Sequence, residues 1–419
     1  MSRPSRVVAA VWLAVLGTAC ASRMTSPPAQ APATAPAARP AAAIQLTEAR
    51  VPLRTLIIGG GPTRTSNQVA IESNVRYVGR LLPPSSTYRV LFTDGQLESA
   101  NVQFRAPDRT LAYRAPDLQR LDGSADLPTV RAELTAVAIE ARTHPQSDVL
   151  LYFTGHGSPD RRTTYANNWF SLWGNGRFTV TELARSLEAF PASTPITLIM
   201  VQCFAGAFGN VLFQNGDPKG ALIEQRVAGF FAAVPERVAA GCTPAIDEAE
   251  YKDFTSYFFA ALTGQDRLGR PVTGADYNQD RRVGLDEAFA WTLVHDDSID
   301  TPVCTSDMFL RRFVTMADSE ISALSYTTLS SWATPAQRAA LDGLSGALRL
   351  SGDDRLRTAF NRFREQRPNS MAPYDVRVIR LVNLVRSVAL AHSLDVSGDE
   401  ATKRRFAELR LAEARNPLR

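Results

Sequence analysis

Between residue 54 and about residue 315, short apolar runs alternate with segments whose apolar positions recur every three or four residues. The run RTLIIGG predicts a strand, and after the loop GGPTRTSNQ the positions Ile71, Val75, Val78 and Leu82 recur at helical spacing. YRVLFTD predicts a second strand, whereas residues 95 to 125 are polar and without period. Asp126 with Pro128 opens a helix carrying Val130, Leu134 and Val137, and DVLLYF predicts the next strand. Thr179 and Glu182 have the spacing of a capping box, each side chain closing a free amide of the other, ahead of a helix bearing Leu183, Leu187 and Phe190. ITLIMV and VAGFFAAV predict strands, and YKDFTSYFFAAL a helix. Strands apolar on both faces, separated by helices, are the pattern of an α/β fold with a mainly parallel sheet of about five or six strands.

The character changes near residue 320. Thr334 and Gln337 form another capping spacing with Pro335 at the first helical position, and YDVRVIRLVNLVRSVALAHSL is a long amphipathic segment. Residues 46–318 are therefore expected to be the α/β domain and 319–419 an α-helical C-terminal region. That region holds no cluster of reactive side chains and is expected to support the domain or dock a partner.

At the other end, Arg3 and Arg6 precede the apolar stretch Val7 to Leu16, too short to span a bilayer and suited to export. LGTAC then resembles the lipobox of bacterial lipoproteins, with Gly17 departing from the usual residue. The resemblance implies that residues 1–20 form a signal with its lipobox, that Cys20 becomes the first residue and carries a diacylglycerol, and, with Ala21 next, that the protein sits on the outer membrane facing the periplasm or the cell surface. Residues 21–45 are Ala/Pro-rich with few large apolar side chains and are expected to be a disordered tether. Across the chain, 46 basic and 42 acidic residues are interspersed and sum to +4, which offers no basic patch for nucleic acid. Nothing in the sequence sets an oligomeric state.

Four cysteines are present. With Cys20 lipidated, Cys242 and Cys304 lie in Pro/Thr/Asp-rich stretches suited to a surface disulfide in an oxidising compartment. Cys203 is then the odd thiol. It follows the strand ITLIMV, just as His156 follows DVLLYF in YFTGHGSPD. In open α/β sheets functional groups gather beyond the carboxyl ends of the strands. If these strands are parallel neighbours, imidazole and thiol face each other. The imidazole can then take the thiol proton, hold the ion pair and later protonate a leaving amine. Gly157 and Cys203 could offer their amides to an oxyanion.

YFTGHGSPD followed by VQCFAGAFGN resembles the caspase/legumain superfamily of cysteine peptidases over about residues 52 to 315. The resemblance implies a caspase-like three-layer α/β/α sandwich and a cysteine-type endopeptidase acting on peptides or proteins through an acyl-enzyme, with Cys203 as nucleophile, His156 as general base and acid, and Gly157 with Cys203 as oxyanion donors. It also places the loop after the first strand near substrate, making Arg64, Asn67 and Gln68 candidate contacts. Phe204 and Ala205 depart from the residues common after the nucleophile. Trp169, Phe170 and Trp173 are candidates to cover the site.

The glycine-rich loop lacks the spacing of a nucleotide-binding motif, and the histidines lack zinc-ligand spacing, so no cofactor is required. DYNQDRRVGLDE places Asp276, Asn278, Asp280 and Glu287 at positions of an EF-hand-like loop, making Ca2+ a candidate ion, although Arg281 stands where glycine is usual. Two other readings stand beside the peptidase: a catalytically silent, peptide- or partner-binding scaffold in the cell envelope, and an assembly role for the helical region.

Overall fold

The computed structural model describes residues 51–367 and 369–419; the expected signal, Cys20 and the tether lie outside them. In chain order the elements are β1 (Leu53–Gly60), α1 (Val69–Leu81), β2 (Thr87–Phe92), β3 (Val102–Arg105), β4 (Leu111–Arg114), α2 (Leu127–Thr143), β5 (Asp148–Ser158), β6 (Trp169–Leu172), β7 (Gly176–Thr179) and α3 (Val180–Glu188). There follow β8 (Pro195–Met200), β9 (Arg226–Phe231), α4 (Phe254–Thr263), α5 (Leu285–His295), β10 (Val303–Cys304) and α6 (Thr305–Phe313). The chain ends with α7 (Asp318–Ala323), α8 (Tyr326–Trp332), α9 (Pro335–Ala347), α10 (Arg355–Glu365), α11 (Pro373–Ser397) and α12 (Glu400–Glu413).

The expected caps form. Asp126 accepts the Thr129 amide at the start of α2, and Thr179 with Glu182, and Thr334 with Gln337, close both halves of their capping boxes. Such a cap contributes roughly 1 kcal/mol by satisfying amides that have no partner within the helix.

The central sheet runs β10-β9-β8-β5-β1-β2, parallel throughout except for β10. Leu56, Ile58, Leu151, Phe153, Leu198 and Met200 enter one core with α2 and α3, while Ile57, Leu150, Tyr152 and Ile199 enter the other with α1 and α4. Both faces are buried, which is why the strands read as unbroken apolar runs. The fold is mixed α/β with a mainly parallel sheet and C-terminal helices.

Two hairpins are additions to the sequence reading. β3 and β4 pair antiparallel within the segment expected to be irregular, and Arg114 on β4 forks onto the buried Glu72 of α1. Short strands with polar residues on them leave no period to detect. β6 and β7 pair with each other, and β6 also pairs with the far end of β5, setting Ser171 opposite His156 and Phe170 opposite Gly157.

The C-terminal helices pack directly on the sheet layers. Leu390, Leu394 and Leu409 join the core beneath β8, and Leu418 joins the opposite one. The fully buried Glu413 carboxylate accepts the Thr305 hydroxyl at 2.9 Å and the Ser306 amide at 2.8 Å. Arg50–Arg419 form one compact unit. No helix among the described residues is long and apolar enough to cross a membrane.

Candidate active site

β5 and β8 are parallel neighbours with Phe153 level with Met200. His156 and Cys203 are each the third residue beyond that level pair. Both therefore emerge on the carboxyl edge of the sheet, where backbone amides and side chains are free to meet a ligand.

His156 Nε2 lies 2.8 Å from the Ser66 carbonyl oxygen and 3.0 Å from Gln68 Oε1. Both partners are acceptors, so the bond pattern assigns the ring proton to Nε2 and leaves Nδ1 as the basic nitrogen. Nδ1 makes no hydrogen bond to the described residues. Burial holds the His156 pKa below the ordinary histidine value, opposed by the Ser66 bond, so the ring is neutral at neutral pH.

Cys203 Sγ accepts the Ala239 amide at 3.3 Å, and its thiol points to the Ala239 carbonyl at 3.7 Å. Burial pushes this thiol up from its usual range, the Ala239 bond opposes that, and the nearby Asp300 adds to it. Among the described residues no hydrogen bond joins His156 to Cys203. Each shift favours the neutral form of its group.

Gly157 sits against the Cys203 backbone: a Cβ added there would lie 2.0 Å from the Cys203 carbonyl oxygen and 2.6 Å from Gln202 Cγ. Only glycine allows that approach. Gln202 is itself buried, with neither of its amide atoms bonded among the described residues. Phe204, directly after Cys203, has a left-handed φ of 62°, a conformation that costs a bulky residue energy and turns the chain sharply away from the strand. Its amide is held by the Arg237 carbonyl at 2.7 Å. Asn168 Nδ2 bonds the carbonyls of Phe204 at 3.1 Å and Pro235 at 2.9 Å, fixing this turn to the loop after β9.

The substrate candidates divide. Arg64 is exposed, with its guanidinium 4.0 Å from the centre of the Tyr113 ring. Asn67 is fully buried, taking the Gly61 amide and donating to the Asn101 carbonyl, so it shapes the loop and is closed to substrate. Gln68 orients His156. Of the aromatic candidates, Phe170 packs edge-on against Phe153 in the core, Trp173 gives its amide to Ala125, and Trp169 carries Arg177 over its ring.

The expected disulfide is corrected: Cys242 and Cys304 are both free. The segment VCTSD is not a surface loop. Val303 and Cys304 pair with β9, which turns the Cys304 thiol into the core beside the Ser306 hydroxyl at 3.1 Å. Cys242 instead belongs to the loop that covers Cys203, and its thiol meets the Gly155 carbonyl at 3.5 Å.

Asp276, Asn278, Asp280 and Glu287 do share one loop before α5. There Asp276 accepts the Arg281 amide, Asn278 the Asp280 amide and Asp280 the Arg282 amide, and Arg281 adopts the left-handed φ of 71°. The Glu287 carboxylate already closes the amides of Tyr277, Asn278 and Gly284. Among the described residues no three His, Cys, Asp or Glu side chains gather to hold a metal ion. Asp276 Oδ1 is buried and has no hydrogen-bond partner among the described residues.

Several residues at the site leave no motif in the sequence. Ser66 and Ala239 act through backbone groups. Asp300, fully buried, accepts the Ala240 amide at 2.6 Å and the Phe254 amide at 2.8 Å, so it fixes the loop that places Ala239 on the sulfur.

No protein-family model and no curated protein matches the sequence. Among solved structures, a secreted C11 cysteine protease from Bacteroides thetaiotaomicron, in complex with an irreversible peptide inhibitor, is similar with a TM-score of 0.27 and 12% identity over 51% of this chain and 54% of that one. A protein from Geobacter sulfurreducens is similar with a TM-score of 0.33 and 11% identity over 61% of this chain and 91% of that one. The chain thus spans about half the length of the Bacteroides protein.

Proposed function

We propose that this protein is a cysteine endopeptidase in which Cys203 attacks a peptide carbonyl and His156 moves the proton. The carrying observation is the placement of His156 and Cys203 at the same level on adjacent parallel strands, with Nε2 tied back and, among the described residues, Nδ1 unbonded. A neutral imidazole can accept the thiol proton as sulfur attacks, then give it to the leaving amine, after which water releases the acyl group. The Ala239 amide donates to the sulfur and favours the thiolate. The amides of Gly157, which packs against the Cys203 backbone, and of Cys203 itself are assigned to the oxyanion.

In the second reading the chain is a silent peptide- or partner-binding scaffold, favoured by the Ala239 loop lying over the sulfur and by the burial that keeps the thiol protonated. A peptide-library cleavage assay separates the two, with Cys203→Ala as control. Cleavage by the wild type alone supports the peptidase; identical behaviour of both proteins sinks it.

The pH dependence follows from the two shifts. His156, lowered by burial, stays a competent base to a pH below the ordinary value of about 6.5, so the acid limb of kcat/KM should fall there. Cys203, raised by burial, should show an iodoacetamide rate that still climbs above pH of about 8.5 in the peptide-free protein. A plateau at neutral pH would establish a resting ion pair instead. We further place the protein outside the cytoplasm, anchored by lipid on Cys20. Release of the Cys20→Ser variant from the membrane fraction is the expected result.

A further inference from the structure

One loop, running from the end of β9 to α4, brings two features to the same side of the site. At Ala239 it grips the sulfur of Cys203 through both its amide and its carbonyl. Three residues on, at Cys242, it turns a second thiol onto the carbonyl of Gly155, the residue before His156. Gly157, two residues along the same strand, touches the Cys203 backbone. The loop that holds the Cys203 sulfur at Ala239 thus also carries the Cys242 thiol, three residues on, against the strand of His156. Burial raises Cys242, and Cys203 is the largest electrostatic contribution beside it. Cys304 is elsewhere, in the core under α6.

We propose that Cys203 and Cys242 form a modification site for small-molecule disulfides, closing reversibly into a Cys203–Cys242 bond that stores the nucleophile in an unreactive form. The chemistry balances with a disulfide of the glutathione class as oxidant. The Cys203 sulfur, the less buried of the two, attacks the small disulfide, forms a mixed disulfide and releases one thiol, which takes the Cys203 proton. The Cys242 sulfur then attacks the Cys203 sulfur, displacing the second small thiol with the Cys242 proton. Two protein thiols are oxidised and one small disulfide is reduced to two thiols. Cys242 serves as the resolving thiol because the loop that carries it is the loop already seated on Cys203. This goes beyond peptide hydrolysis and does not depend on it.

The test uses the full chain, oxidised glutathione and peptide mapping by mass spectrometry after alkylation. In the wild type the expected product is a peptide pair linked through Cys203 and Cys242, with iodoacetamide labelling of Cys203 reduced by about tenfold or more and restored by dithiothreitol. In Cys242→Ser, and in Cys242→Ala as a second variant, the expected product is a persistent glutathione adduct on Cys203. The proposal is overturned if the wild type retains that adduct, if Cys203 links to Cys304, or if Cys203 is not oxidised. The wild-type map decides without either variant. Should the linked pair form in a protein that cleaves no peptide when fully reduced, the peptidase reading fails and this one stands.

Discussion

Alanine in place of His156 should lower kcat/KM toward a cleaved peptide by about a hundredfold to ten-thousandfold, the range that a positioned general base supplies. The loss should appear in kcat, because the imidazole acts on the proton in flight and not on the bound peptide. Among the described residues Nδ1 is unbonded while Nε2 is tied to Ser66 and Gln68, so the ring presents one nitrogen in a fixed tautomer. Gln68→Leu removes one of those two acceptors and should lower kcat by roughly tenfold with KM unchanged, since the Ser66 carbonyl still holds the ring. A His156→Ala protein that retains full kcat with unchanged urea stability would remove this residue from the mechanism.

The second large effect is on stability. Arg380, on α11, is fully buried and donates to the carbonyls of Asp300, Leu293, Asp296 and Ser298. Its guanidinium also lies 3.4 Å from the buried Asp296 carboxylate. Arg380→Met keeps much of the volume but leaves four carbonyls and a buried acid without their donor. The expected cost is about 3–5 kcal/mol, read as a lowered urea midpoint with unchanged slope. Adding Asp296→Ala should recover part of it, because the deserted carboxylate, whose pKa burial already raises, is then gone. The same change reaches the site: Asp300 is held by Arg380 through its carbonyl and holds Ala240 through its carboxylate, next to the amide on Cys203. Iodoacetamide labelling of Cys203 should therefore accelerate in Arg380→Met below its unfolding midpoint. Equal labelling would uncouple the helix from the site.

The legible part of this protein was the part with a period or a fixed spacing. The strands ITLIMV and DVLLYF, the helix from Asp126 and the two capping boxes follow from local physics, since a buried strand must be apolar and a helix end must close its amides. Residues whose role depends on distant partners misled. Cys304 sits in a stretch with loop composition yet is drawn into the sheet by two residues of pairing with β9, which is enough to separate it from Cys242. Asn67 and Gln68 are adjacent in sequence, but one is locked beneath the loop and the other rests on the histidine.

The sequence by itself determined that an α/β sheet would carry a histidine and a cysteine at consecutive strand ends, because strand and helix periodicity and the positions of His156 and Cys203 are local properties of the chain. Only the tertiary structure decided what those groups meet. Ser66 orients the imidazole through a carbonyl, Ala239 covers the sulfur through its amide and carbonyl, and the same loop carries Cys242. Backbone groups are identical in every residue and carry no signature of their own. Their chemistry is assigned by which loop folds over which strand, and that depends on contacts between distant positions, such as Arg267 with Ser73 at a separation of 194 residues.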